Sequence, residues 1–379
     1  MMLETICPMS PDFHIDWDFI NGQFDWFREL ESCKQDPIWH AEGNVQTHTK
    51  MVCHALVEQP EWLRLEAADR NAMFLAALFH DVAKPITTQI IAGRLRAPNH
   101  AMRGSYVCRE QLLKHILQTD SVESLRQREL VTQLVRFHGI PLNIFDKPDP
   151  IRKLHRLSLH VNNRLLALIA KADVLGRQCE DQSQILVRIE MFEELCRENC
   201  CWDAARKFAN DNVRMMYFQG KDVSPDAEIS APNNGTATIL SGLPGSGKDF
   251  WIKSNRPQQT VVSLDQIRRQ LKINPGENQG VVGSTAKERC KEIMRQRKDF
   301  VFNATNVSRR VRQLWCGLFS NYGYRIETVY VESNWEKILE RNAKRRDAIQ
   351  VPHSVLNKLV GKMDLPYLDE AHHVQWVTN

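Results

Sequence analysis

Residues 239–251 read ILSGLPGSGKDFW. Gly242, Gly245 and Gly247 free the backbone to curl, so that successive N–H groups can face anionic oxygens. A helix opening near Gly247 would add its positive end, and Lys248 a mobile charge. The spacing G-x-x-x-x-G-K, entered from the apolar run TATIL, is that of a loop wrapping a nucleoside triphosphate. Gly242, Gly245, Ser246, Gly247 and Lys248 are therefore the candidate nucleotide-binding residues. The position after the lysine commonly carries a Ser or Thr hydroxyl that holds magnesium, and here it is Asp249. A carboxylate is a stronger magnesium ligand than a hydroxyl, so Asp249 is read as a metal residue in a loop that still works.

Outward from this loop, the C-terminal part alternates short strand patterns (TATILSGL, TVVSLD, DFVFNATN, YRIETVYVE, HHVQWVT) with helical stretches. That alternation predicts an α/β domain with a parallel sheet over 236–379. The Pro, Gly, Asn and Ser residues of KDVSPDAEISAPNNGT interrupt periodicity and mark a linker at 223–235. Before it, RNAMFLAALFHDVAK, GSYVCREQLLKHILQ, VESLRQRELVTQLVRFHG and RLLALIAKADVLGRQ carry apolar residues at three-to-four spacing, and strand patterns are scarce. Residues 1–222 thus read as an all-α helical bundle, and the chain as multidomain. Residues 235–379 hold 23 of the 50 basic and 14 of the 46 acidic residues, a net charge near +9 against −5 for the rest. A positive domain of this size suits an anionic partner such as nucleic acid. No apolar run is long enough to span a membrane, and the N-terminus lacks a basic-then-apolar leader, so a cytoplasmic protein is expected. The ten cysteines form no paired knuckles, and Cys196, Cys200 and Cys201 are read as reduced core fillers of a helical stretch.

In the N-terminal part His80 and Asp81 adjoin in LFHDVAKP. His48 precedes them, and His100, His138 and Asp173 follow on successive helical stretches. Nitrogen and carboxylate donors of this kind suit divalent transition metals. The order H…HD…H…H…D resembles the HD phosphohydrolase superfamily. The resemblance implies one or two divalent transition metal ions. His48, His80, Asp81 and Asp173 would hold the first, and Asp81 would bridge to a second held by His100 and His138. Lys84 would meet a substrate phosphate. The remaining histidines, His40 and His54 among them, carry no role in that pattern. The stretch DPIWHAEGNVQTHT at 36–49 resembles the start of the HD domain in bacterial CCA-adding enzymes, whose HD domains hydrolyse phosphates at the 2′ and 3′ positions of RNA ends.

In the C-terminal part a second strand pattern ends at Ser263, with Asp265 two residues on at the tip of a neighbouring strand. Asp265 is placed to take a proton from an alcohol attacking the γ-phosphorus, or to cap a helix. Arg268, one turn later, could hold an acceptor phosphate. A third strand ends in Asn303, Thr305 and Asn306. Arg341 and Arg345, spaced i and i+4, could close over ATP phosphates from one helical face, leaving Lys344 and Arg346 to solvent. This set resembles the polynucleotide 5′-kinase family of the end-healing type. The resemblance implies Asp265 as general base, Arg268 as acceptor contact, Arg341 and Arg345 as a lid engaging the ATP phosphates, and ATP with magnesium as the cofactors. Ser263, Thr305 and Asn306 would lie with Asp265 and Arg268 on the acceptor side. Asp249 departs from that pattern, and so does Asn303, where relatives often have Asp.

The two modules in this order resemble bacterial HD-Pnk, a bifunctional RNA end-healing family. The resemblance implies removal of 2′,3′-cyclic, 2′- or 3′-phosphates by one module and phosphorylation of 5′-hydroxyl ends by the other. RNA or DNA ends and a nucleoside triphosphate would be the partners, with an RNA ligase acting downstream. Two other readings remain: a small-molecule kinase fused to a nucleotide phosphohydrolase, and a non-catalytic RNA-end or nucleotide sensor.

Overall fold

The computed structural model describes residues 2–379 apart from 118–119, 231–232, 275–276 and 346–349. The chain divides into two compact units, residues 1–118 with 123–206, and residues 119–122 with 207–379.

The N-terminal unit is helical. The helices that matter to its chemistry are α1 (Val45–Val57), α2 (Ala67–Phe79), α3 (His100–Gln111), α4 (Val122–Phe137), α5 (Asn163–Leu175) and α6 (Gln182–Glu198). Side chains start two of them. Asn44 Oδ1 accepts from Thr47 N at the head of α1, and Asn162 Oδ1 from Arg164 N at the head of α5, satisfying donors that a helix start leaves open. Helices α1, α2 and α5 pack on one another, burying Val52, Leu56, Phe74, Phe79, Leu166 and Ile169. Gly176 makes the approach of α5 to α1 close: a Cβ there would lie 2.6 Å from Val52 N. Between α3 and α4 two buried arginines share one buried carboxylate, Arg109 at 2.9 Å and Arg128 at 3.1 Å from Glu129. Pairing is what makes buried charges tolerable.

One element escaped the sequence reading. Strands β1 (Gln89–Ile91) and β2 (Arg94–Arg96) form an antiparallel hairpin through Ala92 and Gly93, both at positive φ. Two such residues make the tight turn whose twist matches that of the strands. Cys200 is a second correction. It lies past the end of α6, exposed and at positive φ, whereas Cys196 and Cys201 are buried as expected of core fillers.

The C-terminal unit is a parallel five-stranded sheet in the order β4 (Thr260–Ser263), β5 (Phe300–Asn303), β3 (Thr236–Ser241), β6 (Arg325–Glu332), β7 (His373–Thr378). The glycine-rich strand β3 is central, with Leu240 in register with Asn303 on one side and Val329 on the other. Helix α7 (Asp211–Phe218) belongs to this unit, so the division falls at residue 207, earlier than the linker read at 223–235. The reason is Arg214, whose guanidinium donates to the carbonyls of Leu368 (2.9 Å) and His372 (2.6 Å), while Asp211 pairs with Arg325 at 2.8 Å. The sequence reading assigned 1–222 as a whole to the helical bundle, and periodicity says nothing of which core a helix joins. Among the described residues no helix is long and apolar enough to cross a membrane.

Candidate functional site

In the N-terminal unit four histidines and two aspartates converge from five stretches of chain. Two sets of donor atoms each lie within 4.8 Å of one another: His48, His80 and Asp173, and Asp81, His100 and His138. Backbone carbonyls fix the rings. Nδ1 of His80, His100 and His138 donates to the carbonyl three residues earlier, Ala77 (2.7 Å), Ala97 (2.8 Å) and Val135 (2.8 Å). A carbonyl only accepts, so Nδ1 carries the proton and Nε2 turns its lone pair to the site.

His48 obeys the same rule by other means. Its Nδ1 lies 2.9 Å from Glu42 Oε1 and 3.2 Å from the carbonyl of Gly176, and its Nε2 3.1 Å from Asp173 Oδ1 and 3.7 Å from Asp81 Oδ2. Lone pairs and carboxylates facing one another repel unless a cation or a proton lies between. Buried His80 Nε2 and Asp81 Oδ1 hydrogen-bond to nothing among the described residues. Such donor sets, His48, His80 and Asp173 in one and Asp81, His100 and His138 in the other, could hold one or two divalent ions.

The surrounding charges agree. Burial opposes ionisation of Asp81, but His80 and Lys84 hold its carboxyl well below the usual range. Burial likewise opposes that of Asp173, and Arg177 and His48 outweigh it. Burial brings the His138 imidazole down to about 3, helped by His80 and His100, so it stays neutral and able to donate. Lys84 Nζ sits 2.7 Å from Asp81 Oδ2 and 2.5 Å from Gln35 Oε1, an ammonium at the edge of the cluster.

Three residues here were missed. Arg177 pairs with Asp173 at 2.5 Å. Glu42, its carboxylate buried, accepts from both His48 and His40, the latter at 2.8 Å. His40, read as standing outside the pattern, is itself buried and its ring centroid lies 4.6 Å from that of His48. His54 does stand apart, accepting from Trp17 Nε1 at 3.0 Å. The spacing H-x-E at 40–42 was visible, but nothing in it says that the glutamate reaches a histidine six residues on.

In the C-terminal unit Gly242, Gly245 and Gly247 all take positive φ, and a Cβ on Gly242 would meet the Val331 carbonyl at 2.2 Å. Only glycine fits there. Helix α8 (Lys248–Asn255) starts directly after the loop. Lys248 Nζ folds over the loop onto the carbonyls of Gly242 (2.8 Å) and Leu243 (2.9 Å), and burial lowers its ammonium to about 8. Ser246 Oγ is buried with no hydrogen-bond partner among the described residues. Together these leave backbone donors, one hydroxyl and one ammonium around the hollow of the loop, a set that fits nucleotide phosphates. Asp249 is exposed and accepts from Asn303 Nδ2 at 2.7 Å.

The other residues fall as follows. Strand β4 is separated from β3 by β5, so Asp265 is not on the strand beside the loop. Ser263, not Asp265, caps α9 (Leu264–Leu271), accepting from Gln266 N. Asp265 is left exposed and pairs with Arg268 at 2.5 Å, while Arg268 Nε reaches Gln279 at 3.0 Å. Asn306 is buried and its side chain is committed to the Leu240 carbonyl at 2.8 Å, and Thr305 supplies a carbonyl to Gly242 N at 2.9 Å. Asn306 Oδ1 has no hydrogen-bond partner among the described residues. Arg341, on α10 (Trp335–Ala343), donates to the Gly245 carbonyl (3.1 Å) and Ser333 Oγ (2.8 Å). That helix ends at Ala343, so Arg345 sits in the following turn and shares no helical face with Arg341. Its charge still acts at Lys248. Arg346 lies outside the described residues.

A glycine loop between the central strand of a parallel sheet and a helix, closed by a lysine, makes this unit a P-loop nucleotide-binding domain of the kinase-like kind. A family model described as an AAA domain, AAA_33, matches residues 238–366. No curated protein matches the chain. Among solved structures, one described as a "putative kinase" from Chloroflexus aurantiacus J-10-fl is 15% identical, covering 38% of this chain and 85% of that one with a TM-score of 0.30.

Proposed function

We propose that the chain heals broken polynucleotide ends, the N-terminal unit as an HD-type phosphohydrolase and the C-terminal unit as a 5′-hydroxyl kinase. The observation that carries the first half is the convergence of buried His48, His80, Asp81, His138 and Asp173 and half-buried His100, in the superfamily's order, on one cluster. The substrate class follows from the CCA-type stretch at 36–49 and from the basic C-terminal domain. Divalent ions bound there would generate a water nucleophile and draw charge from the phosphoryl oxygens. The protein's own part is to present lone pairs through carbonyl-anchored rings, and to place the Lys84 ammonium where a 2′,3′-cyclic, 2′- or 3′-phosphate would need a counter-charge.

In the C-terminal unit the loop N–H groups and Lys248 would hold the ATP phosphates, with Arg341 and Arg345 above them. Asp265 would accept the proton of a 5′-hydroxyl once substrate draws Arg268 to its phosphate. The products, a 5′-phosphate and a free 2′,3′-diol, are what an RNA ligase consumes, in the cytoplasm. The test is ATP labelled at the γ-phosphate, offered with 5′-OH RNA, 5′-OH DNA and small alcohols, alongside phosphate release from RNA ending in 2′,3′-cyclic phosphate. Labelling of alcohols but not of polynucleotides would overturn the reading in favour of a small-molecule kinase.

A further inference from the structure

We propose that the acid of the P-loop metal site has changed places: Asp249 supplies the carboxylate from the helix start, and Asn303 is the positioning residue that aims it. The inference rests on the nucleotide-binding reading of the loop, not on which phosphate acceptor the domain serves.

In P-loop nucleotide enzymes magnesium is held from two sides, by the Ser or Thr after the loop lysine and by an Asp on a strand of the sheet. In this chain the first position is Asp249. The strand beside β3 is β5, and its last residue, in register with Leu240, is Asn303. The side chains of the two positions touch, Asn303 Nδ2 donating to Asp249 Oδ1 at 2.7 Å. Taken singly, each position departs from the common pattern. Taken together they keep one carboxylate and one neutral polar group, with the charge on the opposite partner.

The chemistry of the pair explains why they would move together. Were 303 an aspartate with 249 unchanged, two carboxylates would lie at hydrogen-bond distance in a partly buried place. Like charges that close force one to bind a proton, which spoils it as a metal ligand. An amide instead turns its NH₂ to the carboxylate, fixes one oxygen and leaves its charge intact. Among the described residues no other hydrogen bond to the exposed Asp249 carboxylate is seen, so its second oxygen has no protein donor. Asn303 is buried at 8% exposure on a sheet strand, a rigid mount for an exposed partner. Outer partners of this kind hold ligands in orientation, and their loss costs about 10–100-fold in metal affinity.

The test measures nucleotide affinity with a fluorescent ATP analogue, with magnesium and with EDTA, so that it reads metal binding apart from catalysis. Binding in EDTA reports whether each variant still folds its loop. Asp249→Asn, which keeps the shape, and Asp249→Ser should retain binding in EDTA and lose the gain from magnesium, about 10-fold or more. Asn303→Ala should lose part of that gain. The double variant Asp249→Ser with Asn303→Asp returns the carboxylate to the strand and should recover most of it. Manganese titrated against the protein–nucleotide complex and followed by electron paramagnetic resonance should rank the variants in the same order. Full magnesium gain in Asp249→Asn, or a double variant no better than Asp249→Ser, would overturn the exchange. Neither result bears on whether the domain phosphorylates polynucleotides, which the labelling assay decides.

Discussion

Arg268 and Asp265, one helical turn apart on α9, hold each other at 2.5 Å, so the candidate base and the candidate acceptor ligand are paired with one another. The carboxylate is 84% exposed and reachable from solvent. In the proposed kinase reaction the first internucleotide phosphate of an incoming 5′-hydroxyl end would compete for the guanidinium and free the carboxylate for the hydroxyl, tying base activation to acceptor binding.

Asp265→Ala should therefore lower 5′-phosphorylation by about 10²–10⁴-fold and leave both ATP affinity and phosphate release from 2′,3′-ended RNA unchanged. Steady-state rates of the two reactions on one preparation check this. A near-normal kinase rate would remove Asp265 from the mechanism.

His80→Ala and Asp81→Ala should abolish phosphohydrolase activity together with bound metal, measured by elemental analysis, and leave the kinase rate intact. His80 Nε2 and Asp81 Oδ1 have no hydrogen-bond partner among the described residues, whereas His80 Nδ1 bonds the Ala77 carbonyl and Asp81 Oδ2 pairs with Lys84, so the melting temperature of each variant is measured alongside its activity. Equal loss of both activities would mean that the cluster supports folding instead.

Gly176→Ala puts a methyl 2.6 Å from Val52 N and 2.8 Å from its Cα, backbone atoms that no side-chain rotation can move aside. The helix ends must part, at a cost of about 1–3 kcal/mol. Because the Gly176 carbonyl bonds His48 Nδ1 and Asp173 stands three residues before it, metal affinity should fall along with the melting temperature of the N-terminal unit. Calorimetry with and without added metal separates the two effects. A variant with normal stability would show that α1 and α5 can repack.

Nucleotide binding should weaken as pH rises through about 8. Burial lowers the Lys248 ammonium to that value, below its ordinary one, and polyphosphate favours the charged form. Binding then takes up protons above pH 8 and the affinity drops with each further unit, while below it the lysine is already charged and affinity is flat. Calorimetry in two buffers of different ionisation enthalpy counts the protons. A flat profile from pH 7 to 9.5 would place the lysine elsewhere.

How far the sequence led depended on the range of the interaction. The glycine loop and the strand–helix alternation after it are local, and their positions in the chain carry over to β3, α8 and the parallel sheet. The six residues of the candidate metal site were legible as an order of types. What was not legible is what reaches across: Glu42 to His48, Arg177 to Asp173, and Asn303 to Asp249. Spacing gives the periodicity of a helix but not where it stops, so Arg345 was placed on a helix that ends two residues earlier. Nor does it give sheet order, so Asp265 was put on the strand beside the loop when β5 intervenes. The turn Ala92-Gly93 lacks the Asn-Gly or Asp-Gly that announces a hairpin, and its strands are three residues each.

The grip of Arg214 on the far end of the sheet decides where the chain can be divided. A fragment opened at residue 236 keeps every strand and the whole phosphate loop, yet it strips the carbonyls of Leu368 and His372 of their guanidinium and leaves Arg325 without Asp211. It also bares the apolar surface that Met215 covers. Opened at residue 207, the same fragment carries its own closure. Proteolysis in solution should find the same seam, with cleavage ahead of α7 leaving a resistant C-terminal piece and cleavage after it leaving one that goes on to be digested.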